Sequence, residues 1–208
     1  MALRAENLTV ARGGVAVLEG VSFEVPDGGA LVLRGPNGSG KTTLLRTLLG
    51  LLSAPEGRVT PGSDAMAHLG HRNGIKPTLT VAENLAFWAR IFGSGRIDGA
   101  MEALALNPLQ GRAAGTLSAG QSRRLGLARL LVAARPIWLL DEPTTALDRA
   151  STAAFEALLA NHLKAGGTAV IASHAPIGLD RSAFEIRDFD VASHAAKARP
   201  DTFQAAFE

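Results

Sequence analysis

Short β-type runs alternate with glycine-bearing turns over the first thirty residues. Residues 7–10, 15–18 and 21–25 carry that pattern, and Gly13-Gly14 and Pro26-Asp27-Gly28-Gly29 predict hairpin turns and an antiparallel β opening. Residues 30–34 form a compact apolar run that reads as a strand. A glycine-rich turn follows, and then Leu44, Leu45, Leu48 and Leu52 repeat at helical spacing over residues 42–52. Residues 67–70 predict another strand.

The texture changes from about residue 72 to 124, which reads as helical. Thr80 and Glu83 form a T-x-x-E capping box, and Val81, Leu85, Trp88 and Phe92 fall on one face of the helix it opens. That helix should end near Gly93. A weaker helix is predicted over 96–106, stopped by Asn107-Pro108, and a third from Gly120 to about Ala134, ended by Pro136. Buried-type strands follow at 137–140 and 168–172, separated by a helix over 150–164 that Gly166-Gly167 closes. Alternation of β and α predicts an α/β fold with helices on both faces of a parallel sheet and with its active loops at the carboxyl ends of the strands. The tail, 192–208, is Ala-rich and polar and reads as a loose strap or short helix without a legible role.

Composition narrows this frame. With 208 residues, 47% hydrophobic and 19% charged, the chain can bury a real core as one domain with a modest insertion. Lys plus Arg number 21 against 19 Asp plus Glu, and no long block of one sign occurs, so the charge balance does not argue for nucleic acid, and no nucleic-acid partner is expected. Only 4 of the basic residues are Lys, so Lys41 inside a motif carries weight. The absence of Cys removes disulfides, iron–sulfur clusters and thiol chemistry and permits the cytosol. No apolar stretch is long enough to span a bilayer, and the start reads as a mature cytoplasmic one.

Gly35-Pro36-Asn37-Gly38-Ser39-Gly40-Lys41-Thr42 matches G-x-x-x-x-G-K-[ST], placed after a predicted strand and before a predicted helix. Glycines let backbone N–H groups converge on phosphate oxygens, and the helix adds the positive end of its dipole. Lys41 would reach the β and γ phosphates, the Thr42 hydroxyl would ligate Mg²⁺, and Thr43 would touch the α phosphate. The strand at 137–140 runs into Asp141 and Glu142. Strand alternation predicts that these acids face opposite sides and take separate roles: Asp141 holds Mg²⁺ through water, and Glu142 polarises the attacking water. His174, at the mouth of the last core strand, could hydrogen-bond the γ phosphate and orient Glu142 or the water. Leu117-Ser118-Ala119-Gly120-Gln121 opens another helix and again offers a hydroxyl, a glycine N–H and a dipole to an anion. Taken alone, Ser118 is explained equally well as a plain N-cap.

The phosphate loop, the Leu117–Gln121 signature, Asp141-Glu142-Pro143 and Ala146-Leu147-Asp148, in this order, resemble the ATP-binding cassette (ABC) ATPases over most of the chain. The resemblance implies a P-loop, RecA-like core with an antiparallel β subdomain (1–71 and 126–208) and an inserted α-helical subdomain (72–125). It implies MgATP as substrate and a homodimer of ATPase subunits in which Ser118, Gly120 and Gln121 of one copy complete the site of residues 35–43 in the other, with Asp148 at the seam. It also implies integral membrane subunits docked on the helical subdomain. Two positions depart from the family. The aromatic residue that usually stacks on adenine is replaced at that position by Arg12, whose guanidinium can also stack on a base. The Gln that usually ligates Mg²⁺ is replaced by His71; imidazole suits Mg²⁺ poorly, so His71 is expected to act by hydrogen bonding.

Residues 69–77 and 79–85 are, in addition, closely similar to the ATP-binding subunits of cytochrome c maturation transporters, which share the His at position 71. That likeness implies permease partners of the haem-exporter type, a peripheral place on the cytoplasmic face of the bacterial inner membrane, and release of a haem-loaded chaperone. No haem-binding pattern is legible in the chain itself. The competing readings are the ATPase of another ABC exporter, a soluble cassette protein acting on ribosomes or DNA, and a nucleotide switch with impaired hydrolysis. The second lacks paired cassettes or basic insertions; the third rests on His71 alone.

Overall fold

In the computed structural model, which describes residues 1–196, the chain builds two sheets. β1 (Leu3–Arg12), β2 (Val15–Val25) and β4 (Arg58–Thr60) form a three-stranded antiparallel sheet in the order β2-β1-β4. β3 (Ala30–Arg34), β5 (Met66–Leu69), β6 (Ile137–Asp141), β7 (Thr168–Ala172) and β8 (Ile186–Asp190) form a parallel sheet in the order β5-β6-β7-β3-β8. The helices are α1 (Lys41–Leu48), α2 (Val81–Phe92), α3 (Asp98–Ala103), α4 (Ala119–Ala133) and α5 (Arg149–Lys164).

Strand alternation divides the core into two layers. Ile137 and Leu139 of β6, with Val170 and Ala172 of β7, pack toward α1 and the antiparallel sheet. Their neighbours Trp138, Leu140, Ala169 and Ile171 pack toward α4, α5 and the helical segment. Leu44, Leu45 and Leu48 seat α1 beneath the sheet, each worth about 2 kcal/mol on burial. The capping box of α2 is complete: Glu83 N–H donates to Thr80 Oγ1 at 3.2 Å, Thr80 N–H donates to Glu83 Oε2 at 2.8 Å, and Gly93 at φ 74° stops the helix.

Several expectations need correction. Residues 15–18 and 21–25 are one strand, because the left-handed Gly20 introduces an irregularity in the pairing with β1 rather than a break. Pro26–Gly29 does not close a hairpin; its turn, with Gly29 N–H donating to Pro26 O at 3.0 Å, carries the chain from one sheet to the other. α1 stops at Leu48, and α3 is six residues long rather than eleven. β4 and β8 carried no strand signal: β4 is three residues long, and β8, exposed except for half-buried Ile186 and Phe189, is an edge strand held by pairing with β3. Residues 192–194 make one 3-10 turn and Ala195 bridges to Leu18, while the rest of the predicted strap, 197–208, lies outside the described residues.

Candidate functional site: a cleft at the carboxyl ends of the parallel strands

Four parallel strands deliver their following residues to one edge: β3 leads into 35–40, β5 into Gly70-His71, β6 into Glu142 and β7 into Ser173-His174. There, a cleft of about 820 Å³ is lined by Arg12, Val17, Asn37, Gly38, Gly40, Lys41, Thr42, Thr43, Arg46, Leu52, His71, Asp141, Glu142, Thr145 and His174. This is ample for a nucleoside triphosphate. The loop that forms its floor depends on glycine at two positions. Gly40, the N-cap of α1, sits at φ 102°, and a Cβ on Gly35, at φ 143°, would come within 2.7 Å of Ser39 Oγ. Gly35, Pro36 and Ser39 shape the loop from behind. Lys41 is 8% exposed and its Nζ donates to Gly35 O at 2.7 Å and Pro36 O at 2.9 Å, so the ammonium stays at the mouth of the loop.

Thr42 Oγ1 donates to Asp141 Oδ2 at 2.9 Å, joining α1 to the end of β6. Both are hard oxygen donors, and cis oxygens of an octahedral Mg²⁺ site with bonds of about 2.1 Å lie about 3.0 Å apart, so this pair fits that ion. Glu142 does not point away from Asp141 as strand alternation predicts. Its φ of 47° ends the strand in a left-handed turn, and both carboxylates line the same cleft. Glu142 N–H is anchored to Ala172 O at 2.8 Å, and its Oε1 accepts from the His174 backbone N–H at 3.1 Å with the imidazole Nε2 at 3.7 Å. Arg12 and His71 also line this cleft.

The Leu117–Gln121 signature and Asp148 do not line this cleft. Ser118 and Gln121 cap α4 reciprocally: Gln121 N–H donates to Ser118 Oγ at 3.2 Å and Ser118 N–H to Gln121 Oε1 at 3.0 Å. Gly120 is in close packing, since a Cβ there would sit 3.0 Å from Ala146 O. Asp148 caps α5, accepting from Ser151 N–H at 2.7 Å, and those bonds hold its carboxyl below the usual carboxylate range. The two sets of motif residues therefore stand apart on the chain.

Sequence reasoning passed over three residues. Arg46 lines the cleft beside Leu52. His68, on the α1 side of β5, is pushed down to about 4 by burial first and then by the charge of Arg129, with Asp141 opposing, and its Nε2 is buried without a partner. Arg123, 5% exposed, is bonded to carbonyls at the ends of both β5 and β6. Its adjacent Arg124 gave a run of two cations that a helix surface would equally explain; nothing local marks the first as buried.

The sequence model of the ABC transporter family matches residues 18–145. A protein of Paracoccus denitrificans named cytochrome c biogenesis ATP-binding export protein CcmA is 54% identical over 206 residues, covering 99% of this chain and 98% of that one. The protein of the same name from Rhodobacter capsulatus is 54% identical, covering 95% and 90%. Among solved structures, an ABC transporter ATP-binding protein from Pyrococcus furiosus superposes with a TM-score of 0.80 at 24% identity, covering 94% of this chain and all of that one. CbiO1 of Clostridium perfringens, part of the ABC transporter complex cbiONQ, gives 0.73 at 23% identity, covering 91% and 85%. Those two likenesses concern the fold, which is that of an ABC ATPase. No helix among the described residues is long and apolar enough to cross a membrane. With the family matched over most of the chain and identities above one half along nearly its whole length, the chain belongs to the ABC transporter family of ATP-binding proteins, in its CcmA branch.

Proposed function

We propose that this protein is the ATP-hydrolysing subunit of a cytochrome c biogenesis export complex, working as a homodimer on the cytoplasmic face of the bacterial inner membrane. The observation that carries the reading is the convergence at one cleft of Lys41, the Thr42–Asp141 pair and the Glu142–His174 contact at 3.1 Å. ATP enters with its phosphates over residues 35–43, where backbone N–H groups and the Lys41 ammonium balance their charge. Mg²⁺, held by Thr42 and Asp141, would neutralise charge on the β and γ oxygens. Glu142 accepts the proton of a water aimed at the γ phosphorus, and His174 keeps that carboxylate in register and donates to a γ oxygen. Arg12 stacks on the base, and His71 hydrogen-bonds near the water without ligating the metal.

Ser118, Gly120 and Gln121 lie off this cleft, which supports their use on the nucleotide of a second copy, with Asp148 at the seam. ATP then holds the two copies together, and loss of the γ phosphate releases them. Residues 72–125 form the helical subdomain, set into a core of 1–71 and 126–208, and carry the membrane-embedded subunits; Ile91, 54% exposed beside the Trp88–Phe92 stack on α2, offers them an apolar contact. The work done is release of a haem-loaded chaperone, and haem itself is handled by the partner chains. The names of the CcmA relatives support this assignment.

The test is steady-state ATPase of wild type beside Glu142→Gln. Turnover should fall at least about 100-fold, with the variant accumulating as a nucleotide-bound dimer. Equal rates would reject Glu142 as the base, and a monomeric variant at saturating ATP would reject the paired site. Copurification of haem-exporter permease subunits tests the transport assignment.

A further inference from the structure

Arg123 sits at the fifth position of α4, and the nucleotide contacts above make no use of it. Its guanidinium makes five hydrogen bonds. Nε donates to Pro143 O at 3.1 Å; Nη1 donates to Gly70 O at 2.9 Å and Asn73 Oδ1 at 2.8 Å; Nη2 donates to Asp141 O at 2.8 Å and Glu142 O at 2.7 Å. Three consecutive carbonyls, those of residues 141–143, are thus gripped by one planar group. The middle one belongs to Glu142, whose left-handed backbone is unfavourable for a side-chain-bearing residue and persists only where its surroundings over-determine it. Burial lowers the guanidinium's pKa, the expected cost of withdrawing a cation from water, and the five acceptors offset that cost.

The other end of the same group is equally specific. Gly70 O is the carbonyl immediately before His71, and His71 lines both the main cleft and a smaller one of about 320 Å³ that it shares with Glu142, Thr145, Ser122 and Arg123. Arg123 also stands five residues from the Ser118 cap, on an unbroken helix. A displacement of Ser118 therefore reaches Arg123 through hydrogen-bonded backbone rather than through a loop.

We propose that Arg123 is a positioning residue: it fixes the turn that aims Glu142 into the cleft and ties that turn, and the His71 end of β5, to the signature helix of its own chain. Engagement of Ser118 by the nucleotide of a second copy is then felt at the base of the first. This rests on the reading of Glu142 as the base. Lysine cannot substitute, because a single ammonium with three donors cannot span acceptors on both strand ends.

The experiment uses the full chain. Steady-state kcat and KM for ATP, MgATP affinity by calorimetry, and single-turnover hydrolysis are measured for wild type, Arg123→Lys, Arg123→Gln, Glu142→Gln and the double variant Arg123→Lys with Glu142→Gln. We expect kcat to fall at least about tenfold in both Arg123 variants while KM and MgATP affinity stay within about threefold. The double variant should bind MgATP and hydrolyse it no more slowly than Glu142→Gln alone, since a group that acts only through the base has nothing left to position. If Arg123→Lys fails to fold, Arg123→Gln, which removes the charge and keeps two N–H donors, decides. Turnover within twofold of wild type in a folded Arg123 variant overturns the inference. So does a parallel loss of MgATP affinity, or failure of both variants to fold, either of which makes Arg123 a general structural element. Wild-type turnover in Glu142→Gln overturns the base reading itself, whatever Arg123 does; an inactive Glu142→Gln beside a fully active Arg123→Lys overturns this inference alone.

Discussion

Replacing His68 should flatten the acid limb of this protein's stability curve. The imidazole is half-buried on β5, where the His68 carbonyl accepts from Arg129 Nη2 at 2.6 Å, and its pKa is lowered from 6.5 to about 4 by burial first and then by the Arg129 charge. The unfolded chain takes up a proton near 6.5 and the native state refuses it until about 4, so the unfolded state binds more protons throughout that window. The neutral-His contribution is therefore fully present above pH 6.5, is lost as pH falls, and stops changing below about 4. From these two values the loss between pH 7.5 and 5 is about 2 kcal/mol, and about 3 kcal/mol once both states are protonated. For a chain of this size 2 kcal/mol corresponds to a fall in Tm of about 4–8 °C. Urea unfolding of wild type and His68→Gln at pH 7.5, 6.5, 5.5 and 5.0 isolates the effect, because every other titrating group is common to both. One such group is His162, whose pKa burial also lowers; it stacks on Trp138 with ring centroids 3.9 Å apart. Whatever the difference between the two proteins at pH 7.5, it should shift in favour of the variant by about 2 kcal/mol toward pH 5. Parallel curves would refute the reasoning by showing that His68 protonates in the native state at its ordinary pH.

Two other perturbations test the packing of the helical segment. Asn84 is 1% exposed: its Oδ1 accepts from Lys76 N–H at 2.8 Å, and its amide donates to the carbonyls of Lys76, Leu79 and Thr80 at 3.0, 3.2 and 2.9 Å. Asn84→Leu should cost about 3 kcal/mol by stranding those backbone groups, read as a lower urea midpoint at unchanged slope; a cost below about 1 kcal/mol would mean that water replaces the amide. Thr80→Ala removes one arm of the capping box on α2 and should cost about 1 kcal/mol, with Thr80→Ser recovering most of it.

What was legible in the sequence is what is local. The phosphate loop declares itself because its glycines, Lys41 and Thr42 act through neighbouring backbone atoms, and the capping box at Thr80 closes within four residues, as does the N-cap at Ser118. The alternation of apolar strands with helices of period 3.6 set the fold class, and β7 falls at the predicted residues. Short or polar elements were hidden: β4 and β8 are strands only because β1 and β3 present unpaired edges to them.

Tertiary structure decided the order of the parallel strands and the convergence of four loops on one cleft, and with it which charged residues are buried. Arg123 and Arg124 are adjacent and identical in type, yet the first is enclosed by carbonyls of residues 70 and 141–143 while the second reaches the carbonyls of Leu104 and Ala105 at the rim of α4. Asp141 and Glu142 share a cleft, against the rule of alternation, because a left-handed turn at Glu142 is held by partners 19 to 32 residues away along the chain. Such partners meet only when the sheet has assembled, and no pattern of spacing along the chain encodes a contact whose two halves lie on different strands.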